Sequence, residues 1–168
     1  MVTFSNRATS LKGIIFTHCT DIISHSPPVI DVTPSRKYKE TGTIEIESVC
    51  SNGSCIKIFE KIENGNIIKY SYLYEGENGF FFNYANDGDS DGIKKPLHHL
   101  HVGITKNAND DLIDLLPSEL IEHGGPHYKV QEISINEFML MIIVNYFYNH
   151  KNCDTMIEKL ETTPQIPG

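Results

Sequence analysis

Three Asn-Gly turns within residues 51–79 constrain the fold of this chain more than any other feature. They occur in "SNGS" (residues 51–54), "NGN" (64–66) and "GENG" (76–79). The segments between them are "TIEIESVC", "CIKIFEKIE", "IIKYSYLYE" and "FFFNYA", in which apolar and polar residues largely alternate. Alternation indicates half-buried strands, and Asn-Gly between two such strands indicates a tight hairpin. The sequence therefore predicts a four-stranded antiparallel meander that begins near Thr43.

The remainder of the chain predicts a fifth strand and two helical regions. "LHHLHVGI" (97–104) alternates as a strand, and "SINE" (134–137) is a capping box before a nearly all-apolar helix. We expect one α+β domain over residues 1–168, with a five-stranded antiparallel sheet packed against N-terminal and C-terminal helices. Its expected parts are a helical and extended N-terminal segment, the sheet, the helices and a flexible tail, at residues 1–42, 43–104, 108–150 and 162–168.

Charge and hydropathy limit the classes of function. The formal net charge is −8 and the isoelectric point is about 5.4. This charge weighs against a broad surface that coats nucleic acid, because such a surface needs clustered Lys and Arg. A small site that handles one phosphodiester remains compatible, as does a basic partner. The N-terminus lacks the pattern of a signal peptide and no apolar run reaches membrane-spanning length, so we expect a cytoplasmic protein without a membrane partner.

The stretch "PLHHLHVG" (96–103) contains three of the eight histidines. On a strand, His99 and His101 project to one face, with Cα atoms about 7 Å apart, while His98 projects to the core side. A His-x-His pair can grip a metal ion, or it can act as a proton donor and acceptor near neutral pH. A third ligand would favour a metal ion, and the candidates include His127 and the aspartates of the loop "DGDSDG" (87–92). The pattern itself ties none of them to the pair.

Glu60 lies within the strand "IKIFEKI" (56–62). A slip in the alternation near this residue could turn its carboxylate inward, where it would need a partner. A histidine on a neighbouring strand would be a natural one, which makes Glu60 a candidate for orienting the catalytic pair. The other possibility is a surface glutamate.

Aromatic residues suggest contacts to a nucleotide. Tyr70, Tyr72 and Tyr74 share one face of their strand, and such a face can stack on bases or pack against a helix. Lys69 and Tyr84 are candidates for contacting phosphate.

The order of these motifs resembles the TumE-type toxins of bacterial toxin–antitoxin modules. That family has a Gly-Ser hairpin, a strand carrying Glu, and elements similar to "KYSYH", "G-x-x-F-R-Y-D-N" and "P-H-H-x-H-V-G", in this order. The counterparts here, over about residues 44–103, are Gly53, Ser54, Glu60, residues 69–72, Gly79, residues 81–86, His98, His99, His101 and Gly103. Asn83 and Ala85 stand where the family has Arg and Asp. The resemblance implies RNA cleavage and an antitoxin partner.

Three hypotheses follow. The first is a toxin-like ribonuclease or phosphodiesterase in which His99 and His101 transfer protons and Glu60 orients one of them, without a cofactor. The second is a non-catalytic protein that sequesters a nucleotide signal, as phage counter-defence proteins do. In it the face of Tyr70, Tyr72 and Tyr74 would stack on bases and the histidines would contact phosphate, with His98 and His127 as candidates for binding the ligand. The third is a metal-dependent phosphodiesterase that uses the His-x-His pair. The partners expected are RNA or a nucleotide, an antitoxin, and further copies of the chain.

Overall fold

A computed structural model describes residues 3–24, 28–35, 40–88, 94–105 and 127–163. Its main element is an antiparallel sheet of seven strands, in which each strand pairs with the next along the chain. The strands are β1 (Val29–Pro34), β2 (Gly42–Val49), β3 (Cys55–Glu63), β4 (Asn66–Glu75), β5 (Phe80–Ala85), β6 (His99–Ile104) and β7 (Tyr128–Lys129). Together with the helices below, it confirms the predicted α+β class.

The predicted turns are the hairpins of this sheet. Asn64 and Gly65 have φ values of 53° and 78°, which is the pair of left-handed conformations that a type I′ turn requires. Five of the strands are those predicted, and β1 and β7 are additional. β1 lies in the N-terminal segment that was expected to be helical and extended, and it forms an edge of the sheet that ends at Pro34. An edge strand tolerates proline because its outer backbone groups need no partner strand.

Helices precede and follow the sheet. The N-terminal segment contains α1 (Phe4–Gly13), a π-helical turn (Ile14–His18) and a 3₁₀ turn (Thr20–Ile22). The C-terminal helices are α2 (Ile135–Tyr146) and α3 (Cys153–Thr162).

Ser134 caps α2 through the predicted capping box with Glu137. This helix was expected to reach about residue 149 and ends at Tyr146, and α3 was not predicted. The helix expected after residue 107 lies outside the described residues, as does most of the expected tail. None of the helices in the described ranges is both long and apolar enough to cross a bilayer.

The helices pack against one face of the sheet, which we call the core face. Apolar side chains from α1, α2 and α3 meet alternate residues of β2 to β5 there, among them Leu11, Phe138, Met156, Ile44, Ile58, Tyr72 and Phe82. The opposite face, which we call the open face, carries the other alternate residues. The two faces therefore separate the hydrophobic core from the second set of side chains.

A β-bulge in β4 decides which side chains reach each face. Lys61 pairs with Lys69, but Ile62 pairs with Ile67, so Ile68 is the additional residue. The bulge therefore lies in β4 and not near Glu60 in β3, where it was expected. β3 alternates without interruption, and Glu60 points to the core face for that reason.

Candidate active site

Pairing of β5, β6 and β7 brings three histidines together on the open face. His99 and His101 are two residues apart on β6 and therefore share a face. Lys129 of β7 pairs with His99, and continuing this antiparallel register by two residues places His127 opposite His101. The third imidazole thus comes from a residue distant in sequence, through a very short strand.

The three imidazoles form a compact cluster. Ring centroids are separated by 4.9 Å for His99 and His101, 5.2 Å for His99 and His127, and 4.2 Å for His101 and His127. One ring nitrogen from each lies within 4.8 Å of the others, and among the described residues these three form a group able to hold a metal ion. His99 is fully buried and His101 nearly so. We call this cluster the histidine pocket.

A backbone carbonyl fixes the orientation of His99. Its Nδ1 lies 2.8 Å from the carbonyl oxygen of Pro96, which can only accept, so Nδ1 carries a proton and donates it. Nε2 then faces the interior of the pocket, 3.2 Å from Oδ1 of Asp87. This buried nitrogen makes no hydrogen bond within the described part of the chain, since the contact with Asp87 has the distance of an ion pair without hydrogen-bond geometry.

The segment after β5 positions Asp87. The side-chain oxygen of Asn86 accepts a hydrogen bond from the Tyr70 backbone N–H (2.6 Å), and the Asn86 N–H donates to the Tyr70 carbonyl (3.1 Å). These bonds tie the segment to β4 and place the next residue beside His99. Lys95 donates to both carboxylate oxygens of Asp87, at 3.3 and 3.2 Å.

The charge of Asp87 is maintained by its neighbours. Burial alone would raise the pKa of this carboxyl group, but the hydrogen bond and charge of Lys95, with smaller contributions from His99 and Lys69, hold the pKa below its usual value. Asp87 is therefore ionised at neutral pH. The pocket consequently combines three imidazoles, one carboxylate and one nearly buried ammonium group.

A groove adjoins the pocket on the open face. Asn83 pairs with His101 across β5 and β6 and also lines the groove, whose cavity volume is about 480 Å³. Ser71 donates a hydrogen bond to the Asn83 side-chain oxygen at 2.9 Å, which fixes the amide. Phe59 and Leu73 contribute apolar surface, and acidic residues with a single lysine form the remaining charged lining.

Glu60, predicted to orient a histidine, does not belong to this pocket. It is fully buried on the core face, where Arg7 Nε donates to its Oε2 at 2.7 Å, Arg7 Nη2 binds Oε1, and the Tyr72 hydroxyl donates to Oε1 at 2.6 Å. Although burial alone would lower the pKa of Arg7, Glu60 outweighs it and holds that pKa above its usual value. The partner of the inward carboxylate is therefore an arginine of α1, which no sequence spacing indicated.

The tyrosines predicted to contact a nucleotide lie on the core face. Tyr70, Tyr72 and Tyr74 are buried, and Tyr72 and Tyr84 pack against Phe138 of α2. Tyr70, Tyr72 and Tyr84 therefore lie on the side of the sheet opposite the histidine pocket.

Two further predicted site residues lie on opposite sides of the sheet. His98 lies beside Tyr70, with its Nδ1 3.0 Å from the tyrosine hydroxyl, and so belongs to the core side. Lys69 is half-buried on the open face, where its charge acts on Asp87.

Sequence patterns did not indicate three contributors: Arg7, Lys95 and the specific role of Asp87. Asp87 was one of several loop aspartates considered as ligands, and only the pairing of Asn86 with β4 singles it out. Ala85 stands where the resembling family has Asp, and it pairs with His99. In this chain the carboxylate beside His99 belongs to Asp87, two residues after Ala85.

The model of the family described as Toxin TumE matches residues 21–123. The chain belongs to the TumE toxin family. The match includes His99, His101 and Asp87 of the pocket, and His127 follows it. No curated protein and no solved structure matches the chain.

Proposed function

We propose that this member of the TumE toxin family cleaves phosphodiester bonds in RNA at the histidine pocket. The observation that carries the proposal is the convergence of His99, His101 and His127 beside the ionised Asp87. Such a set, on a face of the sheet separate from the hydrophobic core, offers several groups that exchange protons or bind ions at neutral pH.

The reaction has requirements that these groups can meet. When the 2′-oxygen of RNA attacks phosphorus, a proton leaves the 2′-hydroxyl, the bond from phosphorus to the 5′-oxygen breaks, and that oxygen gains a proton. Imidazoles can accept and donate these protons, or they can bind an ion that stabilises the developing charge. Lys95 and Lys69 add positive charge near Asp87, which favours an anionic substrate in a chain of net charge −8.

The placement of the tyrosines separates this proposal from sequestration of a nucleotide. A binding protein was expected to stack bases on Tyr70 and Tyr72, but both side chains are buried against the helices. Membership of a toxin family further suggests an antitoxin as a partner. Cleavage of RNA, controlled by such a partner, accounts for the pocket without requiring a stacking surface.

The test is cleavage of a fluorescein-labelled RNA by wild-type protein and by the double variant His99→Ala/His101→Ala, each with and without EDTA. We expect wild-type cleavage and a loss of at least about 100-fold in the double variant. A panel of cyclic and linear nucleotides, recovered after denaturing the protein, tests sequestration in the same samples.

His18→Ala is the matched control, because His18 lies on the helical side and its ring contacts Thr163. It should cleave like wild type. Equal cleavage by wild type and the double variant, or none by well-folded wild type, would overturn the proposal. Recovery of intact bound nucleotide without cleavage would support sequestration instead.

A further inference from the structure

The nitrogen atoms of the histidine pocket are arranged as a ligand set. Three imidazoles present one nitrogen each within 4.8 Å of one another. In a tetrahedral zinc site with Zn–N bonds of 2.0–2.1 Å, ligand nitrogens lie about 3.3 Å apart. The three nitrogens therefore need to approach one another by no more than about 1.5 Å to reach that spacing.

The hydrogen bond to Pro96 prepares His99 for this role. Histidines that bind metals commonly donate their second ring N–H to a carbonyl or carboxylate, which fixes the tautomer and the ring orientation. The Nδ1 proton of His99 donates to the Pro96 carbonyl at 2.8 Å. Nε2, which makes no hydrogen bond, is then the nitrogen available to a metal ion.

The electrostatic surroundings of His99 Nε2 favour a positive charge beside it. Nε2 of His99 and Oδ1 of Asp87 lie 3.2 Å apart without a hydrogen bond between them. A carboxylate oxygen this close to a ring nitrogen favours a positive charge between them, which either a proton on the nitrogen or a bound metal ion can supply. Lys95 donates to both carboxylate oxygens of Asp87.

The donor atoms indicate the class of ion. Imidazole nitrogens suit Zn²⁺ and other late first-row divalent ions, whereas Mg²⁺ and Ca²⁺ prefer an all-oxygen set. From these observations we infer that His99, His101 and His127, with Asp87 at the fourth side, bind one divalent transition-metal ion of the Zn²⁺ type.

This inference deepens the proposed function, since it assigns the three imidazoles as ligands and not as the groups that transfer protons. Three histidine ligands leave a coordination position for water or for a phosphate oxygen, and bound Zn²⁺ lowers the pKa of that water to near neutrality. Asp87 lies close enough to bind the ion or to hydrogen-bond its water.

The test measures metal binding independently of cleavage. Protein freed of metal with a chelator is titrated with Co²⁺, and visible absorption reports ligand-field bands; Zn²⁺ competition and elemental analysis give stoichiometry. We expect one ion per chain, binding weakened at least about tenfold in Asp87→Asn, and no stoichiometric binding in His101→Ala or His127→Ala. His18→Ala should bind like wild type.

Each outcome separates the two proposals. No stoichiometric Co²⁺ or Zn²⁺ binding by folded wild type, or binding that survives both histidine substitutions, would overturn the metal site. RNA cleavage that persists in EDTA would then leave the proposed function standing with proton-transferring histidines. Bound metal without cleavage would leave the site standing and overturn the function. If an alanine variant unfolds, His101→Gln supplies the same comparison with a side chain that can hydrogen-bond.

Discussion

Both faces of the sheet contain buried polar groups, but these groups differ in their hydrogen bonding. On the core face, the Glu60 carboxylate is bound by two nitrogens of Arg7 and by the hydroxyl of Tyr72. On the open face, the buried Nε2 of His99 lies against a carboxylate oxygen of Asp87 without a hydrogen bond. The first arrangement is fully hydrogen-bonded, whereas the second leaves a buried ring nitrogen without a hydrogen bond and available to a ligand.

This difference separates stability from function within one sheet. A fully paired buried network fixes the packing of its elements, and here it joins α1 to β3 and β4. A buried polar group without a hydrogen bond costs free energy of folding, so its presence needs an explanation such as a ligand or a catalytic role. We therefore expect substitutions on the core face to change stability and substitutions in the histidine pocket to change activity.

The largest expected effect on activity comes from His127. Its replacement by alanine removes the third imidazole and should lower the rate of RNA cleavage at least about 100-fold, because the site then lacks a complete set of ligands. The urea midpoint should change little. Cleavage at the wild-type rate would show that His99 and His101 act alone and would return the pocket to a His-x-His pair.

Glu60→Ala should give the largest loss of stability. Removing one partner of a buried ion pair leaves the other charge uncompensated, which costs about 3–5 kcal/mol. Urea denaturation followed by circular dichroism measures the change. Arg7→Met/Glu60→Leu is the control, since it removes both charges together and should cost much less than Glu60→Ala. A milder loss in the single variant than in the double one would contradict the account of the core face.

Tyr72→Phe tests one hydrogen bond of the same network. Burial, reinforced by Glu60, raises the pKa of the Tyr72 hydroxyl well above its usual value, so the hydroxyl remains a donor to the carboxylate. Its removal should cost about 1.5–3 kcal/mol, as for hydrogen bonds to charged groups. Tyr84→Phe is the matched control. The Tyr84 hydroxyl donates a weak hydrogen bond to the Met141 sulfur at 3.8 Å, and we expect its loss to change stability by less than about 0.5 kcal/mol. Equal losses would refute the assigned bond.

Alkylation of the cysteine thiols is expected to have the smallest effect on RNA cleavage. Burial raises the pKa of Cys19 to about 12 and that of Cys50 to about 11, so at pH 8 neither forms the reactive thiolate. Cys153 is buried, whereas Cys55 is half-buried on β3. Iodoacetamide at pH 8 should therefore modify Cys55 first, and RNA cleavage should not change. Early modification of Cys19 or Cys50, seen by peptide mass spectrometry, would contradict the packing of the N-terminal segment.

The sequence determined the sheet better than it determined the site. Asn-Gly turns and alternation act over a few residues, so they predicted five strands and the shared face of His99 and His101. β1 was missed because prolines obscure an edge strand, and β7 because two residues show no alternation. The short strand β7 positions the third imidazole. For this reason, sequence spacing alone could not connect His127 with His99 and His101.

Sequence patterns also could not determine which face of a strand packs against the helices. The alternation of Tyr70, Tyr72 and Tyr74 was recognised, but it does not tell which face packs against helices. The same uncertainty left Glu60 without a partner, because Arg7 lies 53 residues away in sequence. Local pattern gives the shared face of a strand, whereas the partners across that face depend on how distant elements pack.

The most direct test compares two near-isosteric substitutions, His101→Gln and Glu60→Gln, by the rate of RNA cleavage per folded molecule. We predict a loss of at least about 100-fold for His101→Gln and a rate within about twofold of wild type for the folded fraction of Glu60→Gln. The reverse order, or equal losses in both variants, would contradict the separation of a structural face from a reactive one.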